Sequence, residues 1–133
     1  MGLSYADISL ANARQPDLKA LTVRALADTG GLHLCVPTHV ALQLGLEEIE
    51  RREVTLADGS RQAVPYVGPI HLRFANRSGF MGAMVLGDEV LLGAIAMEDL
   101  DLVVHPGTRS VIPNPLNPNL PASVAKGVRA RML

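Results

Sequence analysis

The residues best suited to chemistry lie together near position 28. The segment Asp28-Thr29-Gly30-Gly31 follows the apolar residues 25–27 and precedes the apolar segment 32–36. Two adjacent glycines after an apolar strand indicate a sharp backbone turn. A carboxylate between two buried segments is costly unless it is hydrogen-bonded or has a chemical task. The tripeptide alone is weakly specific, because Asp28 in an ordinary turn would bond to its own backbone.

The surrounding pattern predicts many short strands and two short helices, which would position this segment. Strands are expected at 3–11, 18–27, 32–36, 66–74, 80–86, 90–93, 102–104 and 110–112, and helices at 39–44 and 94–100. Asp58-Gly59 between two β-prone arms is a strong hairpin signal. The charged stretch 47–52 is expected to be exposed. So many short strands indicate a mainly β fold, as a closed or folded-over barrel.

Composition limits the possible functions. A length of 133 residues suits one domain, and 48% hydrophobic residues are enough for a core. With two Tyr, two Phe and no Trp, the core must be aliphatic, and a platform for stacking nucleotide bases is not evident. A net charge of −1 gives no electrostatic case for nucleic acid or an anionic membrane. Without a signal-peptide or membrane-span pattern, we expect a cytoplasmic protein.

The order of these features resembles the retropepsin-like (clan AA) aspartic proteases. It runs from a strand through Asp28-Thr29-Gly30, an apolar strand, the Asp58-Gly59 hairpin and two longer strands to Leu91-Leu92-Gly93, a short helix and a final strand. The small bacterial single-domain branch is the most similar, and the resemblance covers about residues 3–113. It implies a protease domain at 1–113. Four prolines between positions 113 and 121 indicate that residues 114–133 form a Pro-rich, flexible tail.

The resemblance implies a role for each matched residue of the loop. Asp28 would be the catalytic carboxylate, and the Thr29 hydroxyl would brace the paired loops across a dimer. Gly30 would keep the backbone close to substrate. Gly31, where the family most often has Ala or Ser, would add flexibility to the loop.

The resemblance also assigns the surroundings of the loop. The segment 91–93 would pack behind it, and the hairpin 55–64 would be a flap that closes over substrate. The predicted substrate-binding residues are Ala57, Asp58, Gly59, Ser60 and Leu92.

Two departures from the retroviral pattern occur together. Where retroviral members pair an Asp after the loop with an Arg after the second glycine, this sequence has Leu32 and Ala94. No unpaired charge is left, and the change argues against a viral enzyme. The flap is also more polar than the glycine-rich viral flap.

The implied activity is aspartic endopeptidase, and that chemistry needs two carboxylates that share one proton. The chain has one Asp-Thr-Gly and is too short for a second lobe, so we expect a homodimer in which two Asp28 side chains meet. By resemblance, the interleaved strands would be 3–10 and 110–113. The expected partners are a second copy and a peptide or protein substrate, with no nucleic acid and no membrane.

Other site chemistries have less support. The four His residues show no fixed ligand spacing, so neither a metal nor a cofactor is expected, although His33 follows the loop closely enough to line a substrate pocket. The lone Cys35 excludes an intrachain disulfide and is interpreted as a small core residue. The main alternative to an enzyme is a catalytically silent, protease-like module for dimerisation or peptide binding.

Overall fold

The computed structural model describes residues 3–125, and about half of these residues belong to strands. Neither helix in this range has the length and hydropathy of a membrane-spanning segment. The elements are β1 (Tyr5–Asn12), β2 (Leu21–Ala27), β3 (Leu34–Val36), α1 (Thr38–Gln43), β4 (Glu47–Thr55), β5 (Arg61–Phe74), β6 (Arg77–Val85), β7 (Val90–Leu92), α2 (Ala94–Asp99), β8 (Leu102–His105) and β9 (Ser110–Pro113).

Six of the described strands close a barrel. Their order is β1-β2-β7-β3-β6-β5, and β5 returns to pair with β1 through the register Ser9↔Arg73 to Asn12↔Ile70. The β2–β7 and β3–β6 pairs are parallel and the other four are antiparallel, so the barrel is mixed. The prediction of a mainly β, closed fold with two short helices is confirmed.

The three remaining described strands lie outside the barrel, at the two ends of the sheet. β4 pairs with β5 and forms the hairpin whose tip contains Asp58-Gly59. At the other end β9 lies between β1 and β8, and β8 is the outermost strand. Within residues 3–125, therefore, β4 and β8 each leave one edge without a partner strand.

The barrel interior is aliphatic, as the scarcity of aromatic residues predicted. Alternate side chains of β1 point inward, which puts Ile8 and Leu10 in the core, and α2 adds Ala96 and Met97. The largest fully buried apolar side chains are Ile8, Leu10, Leu34, Leu44, Ile70, Leu72, Leu92, Leu100, Val36 and Val64.

One strand extends well beyond its predicted limits. The stretch 47–52 is mostly exposed, as expected, but it is the first part of strand β4 rather than a loop. Backbone pairing with β5 holds it, from Glu47↔Gly68 to Thr55↔Arg61. Charged side chains obscured the strand because an edge strand does not need a buried face.

Residues 114–122, here called the strap, fold back onto the barrel. The Asp101 carboxylate accepts hydrogen bonds from Asn114 Nδ2 at 3.1 Å, Asn117 Nδ2 at 2.8 Å and the Ala122 backbone N–H at 3.0 Å. These bonds lower the pKa of Asp101, the Ala122 bond most strongly. A segment made largely of turns and bends is thus fixed through one acidic side chain.

A second group of contacts holds the middle of the strap. Arg77 is almost completely buried, and its Nη2 donates to the carbonyl oxygen of Asn117. The neighbouring Asn76 Nδ2 donates to the Pro118 carbonyl oxygen at 2.9 Å. The boundary at residue 113 stays a prediction, but the strap is joined to the domain by hydrogen bonds. The predicted tail residues 126–133 lie outside the described residues.

We expect Asp101→Asn to loosen the strap at neutral pH, because it removes the charge that attracts these donors. Amide hydrogen exchange in 114–122 should accelerate, while the same change at the exposed turn residue Asp88 should leave it unaltered. Because folding lowers the pKa of Asp101, its ionised carboxylate stabilises the strap at pH values above the unfolded-state pKa. This stabilisation is lost as the pH falls through the folded-state pKa. The wild-type strap should therefore lose protection below about pH 3.8. Unchanged exchange in Asp101→Asn would contradict this.

Candidate active site

Asp28 lies immediately after β2, where a neighbouring strand holds its backbone. The pairing of β2 with β7 ends at Ala27↔Leu92, and the Asp28 N–H then donates to the Leu92 carbonyl oxygen at 2.8 Å. The chain next turns sharply, with the Gly31 N–H donating to the Asp28 carbonyl oxygen at 3.1 Å. The half-buried Asp28 side chain is therefore presented from a fixed backbone position.

The start of α2 supports the far side of the loop. The Ala94 N–H donates to the Gly31 carbonyl oxygen at 2.8 Å, and the Ile95 N–H donates to that of Leu32 at 2.9 Å. Gly93 is in close contact, since a Cβ there would lie 2.5 Å from the His33 carbonyl oxygen. Only glycine permits this approach of two backbones. The segment 91–93 packs behind the loop as the resemblance implies.

The residues after Asp28 differ in their surroundings. Thr29 and Gly30 are exposed. A Cβ at Gly31 would lie 3.2 Å from Asp28 Oδ2, so glycine at this position leaves the carboxylate uncrowded. Thr29 also borders a surface hollow of about 510 Å³ whose wall includes Met97 and Val103.

The Asp28 side chain borders a cleft with a volume of about 420 Å³. One wall comes from the loop, a second from β3, β6 and β7, and a third from the flap strand β4. The lining residues are Asp28, Gly30, Gly31, Leu32, His33, Cys35, Glu53, Val54, Thr55, Met84 and Leu91. A half-buried carboxylate thus faces a partly apolar space large enough for a side chain.

The predicted flap residues Ala57, Asp58, Gly59 and Ser60 lie at the exposed tip of the β4–β5 hairpin. Gly59 has φ +85°, which the tight turn requires. The backbone N–H and the hydroxyl of Ser60 both donate to Asp58 Oδ1, and these bonds lower the pKa of Asp58. In this single chain the tip does not line the cleft, and the residues of β4 nearer the barrel do.

The leucine predicted to bind substrate also differs in position. Leu92 has 0% of its surface exposed and belongs to the core. A fully buried side chain cannot touch a substrate in the cleft. Its neighbour Leu91 lies on the opposite face of β7 and lines the cleft instead.

His33 lines the cleft, as its position after the loop indicated. Its ring packs edge to face against the Tyr66 ring, with 6.2 Å between the two ring centres. The Arg52 guanidinium lies 3.6 Å from the centre of the Tyr66 ring. Burial, and then the nearby Arg52 charge, lower the pKa of His33. The imidazole is therefore neutral near pH 7.

Cys35 is one of the cleft residues that sequence reasoning missed, together with Glu53, Val54 and Met84. It was interpreted as core, but it is half-buried between the buried residues Leu34 and Val36. Strand alternation could have revealed this, since neighbours of a core residue face the opposite side. Burial, and then the Asp28 charge, raise the pKa of the Cys35 thiol, so it stays protonated at neutral pH and is a poor nucleophile.

A metal centre has no support in the described part of the chain. Residues 3–125 contain no group of three or more His, Cys, Asp or Glu side chains placed to hold a metal ion. The arrangement that remains is a carboxylate in a cleft, which can activate water when a second acid is close.

Comparison with known proteins identifies the fold. The retroviral protease-like domain of Ddi1 from Leishmania major aligns with 96% of this chain and 100% of that domain, at a TM-score of 0.55 and 11% sequence identity. The chain has a retropepsin-like fold. At this identity the similarity establishes the fold alone. No protein-family model matches the sequence, and no match is found among curated proteins.

A second solved structure is less similar. A protein of unknown function from Legionella pneumophila aligns with 80% of this chain and 95% of its own, at a TM-score of 0.44 and 18% identity. A similarity of this size carries no argument about fold or activity.

We expect Gly93→Ala to displace the loop, because the new methyl group would collide with the backbone of residues 32 and 33. Such overpacking costs about 1–3 kcal/mol in the free energy of unfolding. Chemical denaturation should detect this cost, and amide exchange should accelerate at Ala94 and Ile95. Gly30→Ala is the control for the cost of changing a glycine itself, because its φ lies outside the left-handed region and a Cβ there would make only an ordinary contact, 3.4 Å from Asp28 Oδ1. Equal destabilisation by both variants would contradict close packing at Gly93.

Proposed function

We propose that the protein is an aspartic endopeptidase that acts as a homodimer. The observation that carries the proposal is the position of Asp28, held by the backbone of β7 at the base of a cleft that the β4–β5 hairpin borders. The retropepsin-like fold supports it. Membership of the small bacterial single-domain branch stays part of the proposal.

The proposed chemistry uses one Asp28 from each subunit. The ionised carboxylate takes a proton from water, and the resulting nucleophile attacks the carbonyl carbon of the peptide bond. The protonated carboxyl donates to the carbonyl oxygen, so charge on that oxygen is neutralised as it forms. The carbon–nitrogen bond of the tetrahedral intermediate then breaks. The carboxyl that took the proton from water gives it to the departing amine nitrogen, and the other carboxylate takes a hydroxyl proton from the intermediate, which restores the pair. Two like charges at close range cannot both be ionised, which keeps one proton on the pair. Thr29 would then brace the two loops at the dimer axis.

The strands first expected to interleave between subunits have partners within the chain. β1 pairs with β2, β5 and β9, and β9 lies between β1 and β8. We therefore assign the dimer contact to the outer edge of β8, which has no partner strand among residues 3–125. Val103 and Val104 of β8 border the same hollow as Thr29. Contact there would bring the second loop to the first.

Asp28→Asn tests the catalytic assignment. An amide cannot act as the base, so cleavage of a peptide pool at mildly acidic pH should fall at least about 100-fold. Mass spectrometry of the digest measures this, with Asp88→Asn as the control for loss of a surface carboxylate. The rate should also fall on both sides of an optimum pH, since one carboxyl must be ionised and the other protonated. Equal cleavage by Asp28→Asn and wild type would show that Asp28 is not the catalytic carboxylate. Specific binding without cleavage would favour the peptide-binding module.

Val104→Glu tests the dimer contact. Val104 is 38% exposed on the free strand, and two glutamates facing each other across a twofold axis would repel. Sedimentation should show a dimer dissociation constant raised at least about tenfold, together with a matching loss of cleavage at low concentration. Val124→Glu, at an exposed position beyond the strap, is the control. A wild-type chain that stays monomeric at micromolar concentration with a peptide inhibitor present would overturn the homodimer.

A further inference from the structure

The cleft beside Asp28 is acidic. Its lining in the described part of the chain includes two carboxylates, Asp28 and Glu53, and neither Lys nor Arg. Its other side chains are apolar or uncharged at neutral pH, and Leu32, Val54, Met84 and Leu91 give it apolar walls.

Arg52 and His33 lie near this cleft, but neither pairs with Glu53. The Arg52 guanidinium is stacked over the Tyr66 ring at 3.6 Å, and its Nη2 lies 3.4 Å from Glu50 Oε1. The His33 imidazole is neutral near pH 7, because burial and then Arg52 lower its pKa. Neither group therefore neutralises Glu53.

Glu53 can exchange its present partner for a ligand. It lies with Thr55 on the exposed face of β4, opposite to Val54, and all three residues of this edge strand border the cleft. Its Oε1 lies 3.3 Å from Arg61 Nη1, with side-chain exposures of 62% and 72%. An ion pair this exposed is weak in water and its members move readily. A cation entering the cleft could therefore displace Arg61 and pair with the Glu53 carboxylate.

We infer that Glu53 selects a basic residue, Lys or Arg, beside the scissile bond of the peptide substrate. The inference rests on the proposed protease function and adds a substrate class to it. The ammonium or guanidinium group would replace Arg61 at Glu53, and the methylene stem would lie along the apolar wall. Arg61 acts as the occupant of Glu53 when no substrate is bound.

The test compares cleavage profiles of the full chain on a peptide library. The wild type should enrich Lys or Arg at a fixed distance from the cleaved bond, on one or both sides of it, because the twofold axis of the proposed dimer places a Glu53 on each side. Glu53→Gln keeps the shape and removes the charge, so kcat/KM for a lysine peptide relative to its norleucine counterpart should fall about fivefold. Arg61→Gln should raise that ratio, because it frees Glu53. Glu48→Gln, a β4 carboxylate paired with Arg51 and outside the cleft lining, should leave it unchanged.

Binding separates the failure of this inference from the failure of the protease proposal. Fluorescence anisotropy with the same lysine and norleucine peptides should show tighter binding of the lysine peptide to Asp28→Asn, and equal binding to the double variant with Glu53→Gln. If the wild type cleaves nothing, the protease proposal fails, while this binding difference still tests Glu53. Cleavage without basic enrichment, enrichment that survives Glu53→Gln, or equal affinities would overturn the inference.

Discussion

The backbone interlock around residues 28–32 is the constraint on which the rest of the site depends. The Leu92 carbonyl oxygen of β7 accepts a hydrogen bond from the Asp28 N–H. Backbone N–H groups in the first turn of α2 donate to the carbonyl oxygens of Gly31 and Leu32. These are main-chain bonds, so they fix the loop without using any side chain that the cleft needs. The glycine at 93 allows the contact, because a side chain there would collide with the loop backbone. Asp28 can therefore point into solvent-accessible space and still have a defined position.

The two free edges of the sheet differ in chemistry. β4 carries four Glu and two Arg side chains, including the pairs Arg51–Glu48 and Arg52–Glu50. Charges of this kind protect an edge strand from pairing with another chain. β8 has the sequence Leu-Val-Val-His and lacks acidic or basic side chains apart from its histidine. The charged edge is suited to exposure to water, and the apolar edge is suited to the contact proposed for the dimer.

Sequence patterns predicted the parts of this fold that depend on local signals. The Asp58-Gly59 turn, the two helices and the apolar strands on either side of Asp28 are present, with boundaries displaced by a few residues. Pairing between distant segments was not readable, because the β5–β1 contact that closes the barrel leaves no local pattern. β4 was under-predicted for the same reason, since its partner holds it rather than its own apolar content.

Within the candidate site, the sequence indicated which segments meet but not always which face they present. The alternation in β7 was available, yet it could not tell whether Leu91 or Leu92 faced the cleft. That choice depends on the parallel register with β2, where Leu92 is opposite Ala27 and enters the core. The strap was missed because its bonds end on isolated residues such as Asp101 and Arg77, far away in sequence. Polar residues in a Pro-rich segment resemble a solvated tail until their partners are known.

A single Asp28 per chain makes the proposed activity a property of the assembly. The backbone bonds that hold the loop come from β7 and α2 of the same subunit. In the proposed dimer, two preformed halves would come together, so little ordering of the loop would oppose association. The exposed position of Thr29 beside β8 gives the partner a place to complete the site. Activity would thus depend on protein concentration through the second carboxylate rather than through folding of the first.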